Sequence, residues 1–172
     1  MRAKSLILLL LLSLIPSFSY PTGLNYRRLV YTEPPPNIKP REVHCLTRNI
    51  YFEAATQDER GKFGVALVVL NRVQSKKFPN TICGVIHQAP LDGKSKHLCQ
   101  FSWRCDGKVD KIRSKRVFAE CRRIALLALF HKDRDITGGA THYHATYVNP
   151  RWAKYLEKTI QLGDHIFYRE KS

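Results

Sequence analysis

A chain of 172 residues is long enough for one domain with a self-sufficient core, and 44% hydrophobic with 25% charged residues excludes both wholesale disorder and a multi-span membrane protein. Charge is the outlying quantity: 29 Lys and Arg against 14 Asp and Glu give +15. Such a field draws polyanions, whether nucleic acid or an anionic cell envelope, over about a Debye length.

The N-terminus separates these two partners. Arg2 and Lys4 precede an apolar run from Leu6 to Ile15, and Ser17-Phe18-Ser19 offers small residues at the two positions a signal peptidase reads, so residues 1–19 read as a secretory signal. An uncleaved anchor is the alternative, but the run is about half of the roughly 20 residues a spanning helix needs. Residues 1–19 hold two basic and no acidic side chains, so their removal takes +15 to +13. Export to the periplasm, the cell wall or beyond excludes genomic DNA and favours the envelope as partner. Residues 20–39, with Pro21, Pro34, Pro35 and Pro36 and no period, read as a linker, and residues 40–170 as the one catalytic domain.

From Arg41 the pattern changes. Val43, Leu46, Ile50, Tyr51 and Ala54 recur at steps of three and four, which predicts a helix with one apolar stripe. Glu53 follows Ile50 by three and Leu46 by seven, so it sits at the edge of that stripe rather than in open solvent. Thr56 and Glu59 have capping-box spacing. Phe63 to Val73 is apolar nearly all round, which predicts a central buried helix with a continuous strand as the alternative, and Asn71-Arg72 are polar groups that its core must satisfy. Thr81 can cap a short helix through Ile86, residues 90–97 read as an exposed basic loop, and Ser114 opens a long helix. After Gly138-Gly139 the chain reads as extended, with strands over Thr141–Val148 and His165–Tyr168 and turns at Asn149-Pro150 and Gly163-Asp164. The fold class is α+β, mainly helical with a small sheet.

Five cysteines without CxxC or HExxH spacing fit disulfides in an oxidising compartment better than a zinc site. Cys99 with Cys105 and Cys45 with Cys83 are the candidate pairs, and Cys121, in an apolar helical stretch, reads as a buried free thiol. His142 and His144 share one face of a strand, with Thr141 and Tyr143 on the other. Two His at this spacing with His165 as a third could ligate zinc, but no acidic second shell adjoins them, so sugar binding is preferred and neither metal nor cofactor is assigned. Gln100, Phe101, Ser102 and Trp103 place polar groups between aromatic rings, which suits a glycan groove and equally suits core packing.

Glycosidic cleavage needs a proton delivered to a poor leaving oxygen, and a desolvated carboxylic acid can hold one near neutral pH. Glu53 is placed for that role; an ion pair with Arg48, Arg60 or Arg72 is the alternative. Ordinary glycosidases add a second carboxylate. Asp58, Glu59, Asp106 and Asp164 are available, but all lie at a helix start or in turns. On muramic-acid glycans one carboxyl group suffices, because the sugar's own C6 hydroxyl can replace water.

Several motifs then stand in register over residues 41–169: Cys45 to Ala54, Asn71-Arg72-Val73, Phe78-Pro79, Gln100-Phe101-Ser102-Trp103, Gly138 to His144, and Gly163 to Tyr168. Together they resemble the spore-cortex-lytic (SleB-type) cell wall hydrolases. The resemblance implies a lysozyme-like or lytic-transglycosylase-like α+β domain, peptidoglycan glycan strands as substrate, and Glu53 as catalytic acid. Ala55-Thr56-Gln57-Asp58-Glu59 departs from the Arg-Gly-Glu run common in the family. No peptidoglycan-binding repeat is visible, so the basic surface is expected to supply wall attachment by a monomer. The competing readings are a zinc endopeptidase built on His142, His144 and His165, and a non-enzymatic wall-binding module.

Overall fold

The computed structural model describes residues 31–89 and 99–171. The signal segment, the first part of the linker and the basic loop 90–97 lie outside them. Among the described residues, helices α1 (Pro40–Ala54), α2 (Glu59–Gln74), α3 (Ile82–Ile86) and α4 (Lys115–Phe130) precede strands β1 (His142–Ala145), β2 (Glu157–Leu162) and β3 (His165–Arg169). This is the α+β, lysozyme-like architecture.

α1 starts at Pro40, whose missing N–H costs nothing in the first helical turn. Its stripe of Val43, Leu46, Ile50 and Ala54 is buried, and α4 brings Cys121, Ile124, Ala125 and Leu127 into the same core. α2 is buried on every side from Gly61 to Leu70, as its unbroken apolar run demands. The cap of α2 differs from the capping box expected at Thr56. Asp58 Oδ1 accepts from the Gly61 N–H at 2.8 Å, and Glu59 pairs with Arg123 on α4 instead of closing the box. A carboxylate next to the first helical turn wins because it meets the orphan N–H groups and the positive end of the helix dipole together. Thr81 and Ser114 cap α3 and α4 through Gly84 N and Val117 N.

The sheet is antiparallel in the order β1-β3-β2. It packs on α2 at Gly64, where a Cβ would stand 2.7 Å from Phe167 Cζ and 2.9 Å from Leu162 Cδ1, so only glycine lets the layers meet. Tyr143 pairs with Phe167 and Ala145 with His165, while His142 pairs with Tyr168 and His144 with Ile166. One face therefore presents Tyr143, His165 and Phe167 to the helices, and the other presents His142, His144 and Tyr168 outward. The turn between α1 and α2 is clasped to the β2–β3 turn: Asp164 N–H donates to Gln57 Oε1 at 2.9 Å, and Gln57 Nε2 donates to Asp164 Oδ2 at 3.1 Å.

Disulfides join Cys45 to Cys83, tying α1 to α3, and Cys99 to Cys105. Cys121 is buried and free, its thiol pushed up to about 11 by burial. Residues 31–39 lie against the body: Tyr31 stacks on Phe130 at 4.0 Å and bonds His131 at 2.8 Å, and Ile38 packs on the core.

Candidate active site

Glu53 ends the apolar stripe of α1, one turn beyond the fully buried Ile50, and is itself partly exposed. Three elements converge on its carboxyl group. From β1, the Tyr143 hydroxyl donates to Oε2 at 2.9 Å. From α2, Arg72, only 4% exposed, supplies a positive field without forming an ion pair with Glu53. The Arg72 guanidinium is fixed between the rings of Phe78 and Phe101, 5.2 and 5.1 Å from their centroids, and its Nε donates to the Thr141 carbonyl at 2.7 Å.

Burial is the largest influence on Glu53 and raises its pKa; the Tyr143 hydrogen bond and the Arg72 charge pull the other way without cancelling it. Burial lowers Arg72 from the ordinary guanidinium value, and burial together with the neighbouring carboxylate holds Tyr143 well above the ordinary phenol value. Glu53 is thus a carboxyl group with a raised proton affinity, one donor among the described residues and access to solvent. Of the ion-pair partners open to it in the sequence, Arg48 is taken by Asp110 at 3.1 Å, Arg60 is exposed, and Arg72 acts only at longer range.

The other carboxylates have structural work. Asp58 caps α2, Glu59 holds Arg123, Asp106 accepts from the Lys108 N–H at 2.9 Å, and Asp164 joins the Gln57 clasp. A cavity of about 460 Å³ opens at the opposite end of α1, beside Ile38, Glu42, Leu70 and Ile82, and is lined by neither Glu53 nor Tyr143.

The aromatic half of the Gln100–Trp103 segment is core. Phe101 is 2% and Trp103 7% exposed; Trp103 stacks on Phe52 at 4.6 Å and its Nε1 donates to Asn49 Oδ1 at 3.1 Å. Of the two roles that the sequence leaves open for these rings, their burial supports packing, while Gln100 and Ser102 are on the surface. The reason is tertiary. Phe101 is needed under Arg72, and Trp103 fills the space beside α1.

The three histidines do not converge. His142 and His144 project from the outer face of the sheet, whereas His165 lies on the inner face with its ring 5.1 Å from Tyr143. Among the described residues no group of three His, Cys, Asp or Glu side chains could hold a metal ion. His142 Nδ1 meets Thr141 Oγ1 at 2.9 Å, and burial lowers the pKa of both His142 and His165. Asn49 escaped the sequence reading: it is fully buried, gives Oδ1 to Trp103, and has no partner for Nδ2 among the described residues. Its position one turn before Glu53 was the available signal.

The chain belongs to the cell wall hydrolase family, whose model matches residues 56–168. Two spore cortex-lytic enzymes align over 137 residues, 79% of this chain: that of Halalkalibacterium halodurans at 28% identity and that of Bacillus cereus at 35%, covering 37% and 47% of those proteins. The chain thus spans less than half the length of these relatives. In three dimensions it resembles the catalytic domain of the Bacillus cereus SleB protein, with a TM-score of 0.61 at 25% identity over 81% of this chain and 98% of that one. The catalytic domain of the germination-specific lytic transglycosylase SleB from Bacillus anthracis gives the same score and identity over 78% and 99%.

Proposed function

We propose that this protein cuts peptidoglycan glycan strands between N-acetylmuramic acid and N-acetylglucosamine as a lytic transglycosylase, with Glu53 as its only catalytic carboxyl group. The observation that carries the reading is the state of that carboxyl: raised in proton affinity by burial, held among the described residues by the one donor Tyr143, and still open to solvent. Protonated Glu53 donates to the glycosidic oxygen as the bond to the muramic anomeric carbon breaks. The carboxylate left behind is steadied by the Tyr143 hydroxyl and the Arg72 charge, and it faces the developing oxocarbenium ion. Glu53 then takes the proton of the muramic C6 hydroxyl as that oxygen closes on the anomeric carbon. The acid is regenerated, no water is consumed, and the product ends in a 1,6-anhydro ring.

The rest of the assignment follows from this reading. Residues 1–19 direct export, residues 20–39 lead into the catalytic domain 40–170, and a monomer works on the anionic envelope outside the cytoplasm. Thr141 and Tyr143 with the exposed Gln100 and Ser102 are the side chains proposed to meet substrate, and His142 and His144 contribute through the strand that carries Tyr143. Mass spectrometry of digested sacculi tests the reaction: 1,6-anhydro termini are expected. Products carrying an added water would make it plain hydrolysis, and released stem peptides on intact glycan would favour an endopeptidase.

A further inference from the structure

The outer face of the sheet carries a surface that the Glu53 site does not use. Trp152, in the 3-10 turn Arg151–Tyr155, rests on that face with its ring centroid 5.5 Å from His142, 5.6 Å from His144 and 5.5 Å from Tyr168. His144 stacks on Tyr168 at 5.2 Å, and its two ring nitrogens meet the Ala145 carbonyl and the Tyr168 hydroxyl, each at 2.9 Å. These contacts make a fixed pedestal. In the segment that carries Trp152, Tyr147 is 87% and Tyr155 66% exposed, with Val148 also exposed, so three of the five large exposed hydrophobics among the described residues fall within nine consecutive positions.

The charge of the segment has one sign. Residues 146–156 contain Arg151 and Lys154 and no acidic residue. Neither cation is in an ion pair among the described residues; Lys154 Nζ lies 4.9 Å above the Tyr155 ring. Lys158, opposite Tyr168 in register and exposed, adds a positive charge on the outer face.

Exposed aromatic rings held beside a rigid base contribute nothing to the core, and grouped exposure of this kind marks a binding surface. Tyrosine presents a flat apolar face and a hydroxyl that stays in water, which matches the mixed surface of a sugar ring. Cations beside it match carboxylates or phosphates attached to the glycan. Val148 is the only exposed aliphatic side chain in the segment, too little for insertion into a bilayer.

We propose that Tyr147, Arg151, Lys154 and Tyr155 form a second, non-catalytic binding site for anionic cell wall glycan. The segment that carries it is anchored through Trp152 on the face of the sheet opposite the one from which Tyr143 reaches Glu53, and it holds the enzyme on insoluble wall while Glu53 works elsewhere on the strand. The choice of ligand rests on the proposed function.

The test uses the full chain carrying Glu53→Gln, so that sacculi are bound and not cut. Co-sedimentation is measured with purified sacculi before and after extraction of phosphate-bearing polymers, and with anionic phospholipid vesicles. Two further variants are added to that background: Tyr147→Ser with Tyr155→Ser, and Arg151→Glu with Lys154→Glu. Each is expected to weaken sacculus binding about tenfold, the charge variant also flattening the salt dependence. The same substitutions with Glu53 intact are expected to leave turnover of short soluble glycan fragments unchanged. Binding that survives extraction assigns the anions to peptide carboxylates, and binding lost with it assigns them to phosphate. Unchanged sacculus affinity, equal loss of soluble-fragment turnover, or binding confined to vesicles overturns the proposal. If the wild type cuts neither sacculi nor fragments, the proposed function falls, while co-sedimentation still reads this surface on its own.

Discussion

Two carboxylates in this molecule have opposite surroundings. Asp135, in the loop after α4, accepts from the Thr137 N–H and Asn71 Nδ2 at 2.8 and 2.9 Å, and from the Thr137 hydroxyl and Gly139 N–H at 2.5 and 2.8 Å. Glu53, at the end of α1, accepts from Tyr143 alone among the described residues. Four donors turn Asp135 into a clamp that folds residues 135–140 onto α2 and leave it little capacity for a ligand. One donor in a desolvated setting leaves Glu53 ready to hold and release a proton. Both side chains are half-buried, so it is the number of donors that separates the structural Asp135 from the acid proposed at Glu53.

The largest effect expected from this contrast is on Glu53→Gln. The amide keeps the shape but cannot deliver the proton, so release of sugar fragments from sacculi is expected to fall about a thousandfold with the circular dichroism spectrum intact. Wall digestion at the parent's rate would end the proposal for Glu53. Asp135→Ala gives the converse result: the loop loses its acceptors, and chemical denaturation is expected to show a loss of about 2–4 kcal/mol, with activity per folded molecule little changed. A drop in activity without a drop in stability would make Asp135 part of the chemistry.

Tyr143→Phe sharpens the comparison by taking from Glu53 its one donor among the described residues. Because that hydrogen bond favours the charged carboxylate, its loss raises the Glu53 pKa further. Activity depends on the protonated acid and fades as pH rises through that value, so the alkaline limb of the pH–rate profile is expected to move upward, with kcat down about tenfold. A limb that moves downward would contradict the assigned sign.

The smallest effect is on stability. A carboxyl whose folded pKa lies above its unfolded value adds stability that is complete below the unfolded value and is lost as pH rises through the folded one. Glu53→Gln removes that loss. The variant is expected to melt slightly higher than the wild type at neutral pH, with the difference closing on acidification; a lower Tm at neutral pH would mean that the Glu53 charge is well paired.

The local elements are legible in the chain alone. The stripe of Val43, Leu46, Ile50 and Ala54 places Glu53 at the edge of a helix, and Thr81 and Ser114 mark helix starts, because helical period and capping act within a few residues. β2 was missed for an equally local reason: Glu157, Lys158 and Gln161 lie on an edge strand, and a register shift between Lys158 and Ile160 breaks the alternation that would reveal it.

Which candidates share a site is set by long-range packing. Alternation along β1 separates Tyr143 from His142 and His144, but the close packing of Phe167 against Gly64 settles which side faces the helices. Tyr143 lies 90 positions from Glu53, and Arg72 is held by Phe78, Phe101 and the Thr141 carbonyl from three separate segments. Desolvation of a carboxyl group, the burial of Phe101 and Trp103, and the parting of His165 from the other two histidines all depend on such long-range contacts, which no short-range pattern in the chain encodes.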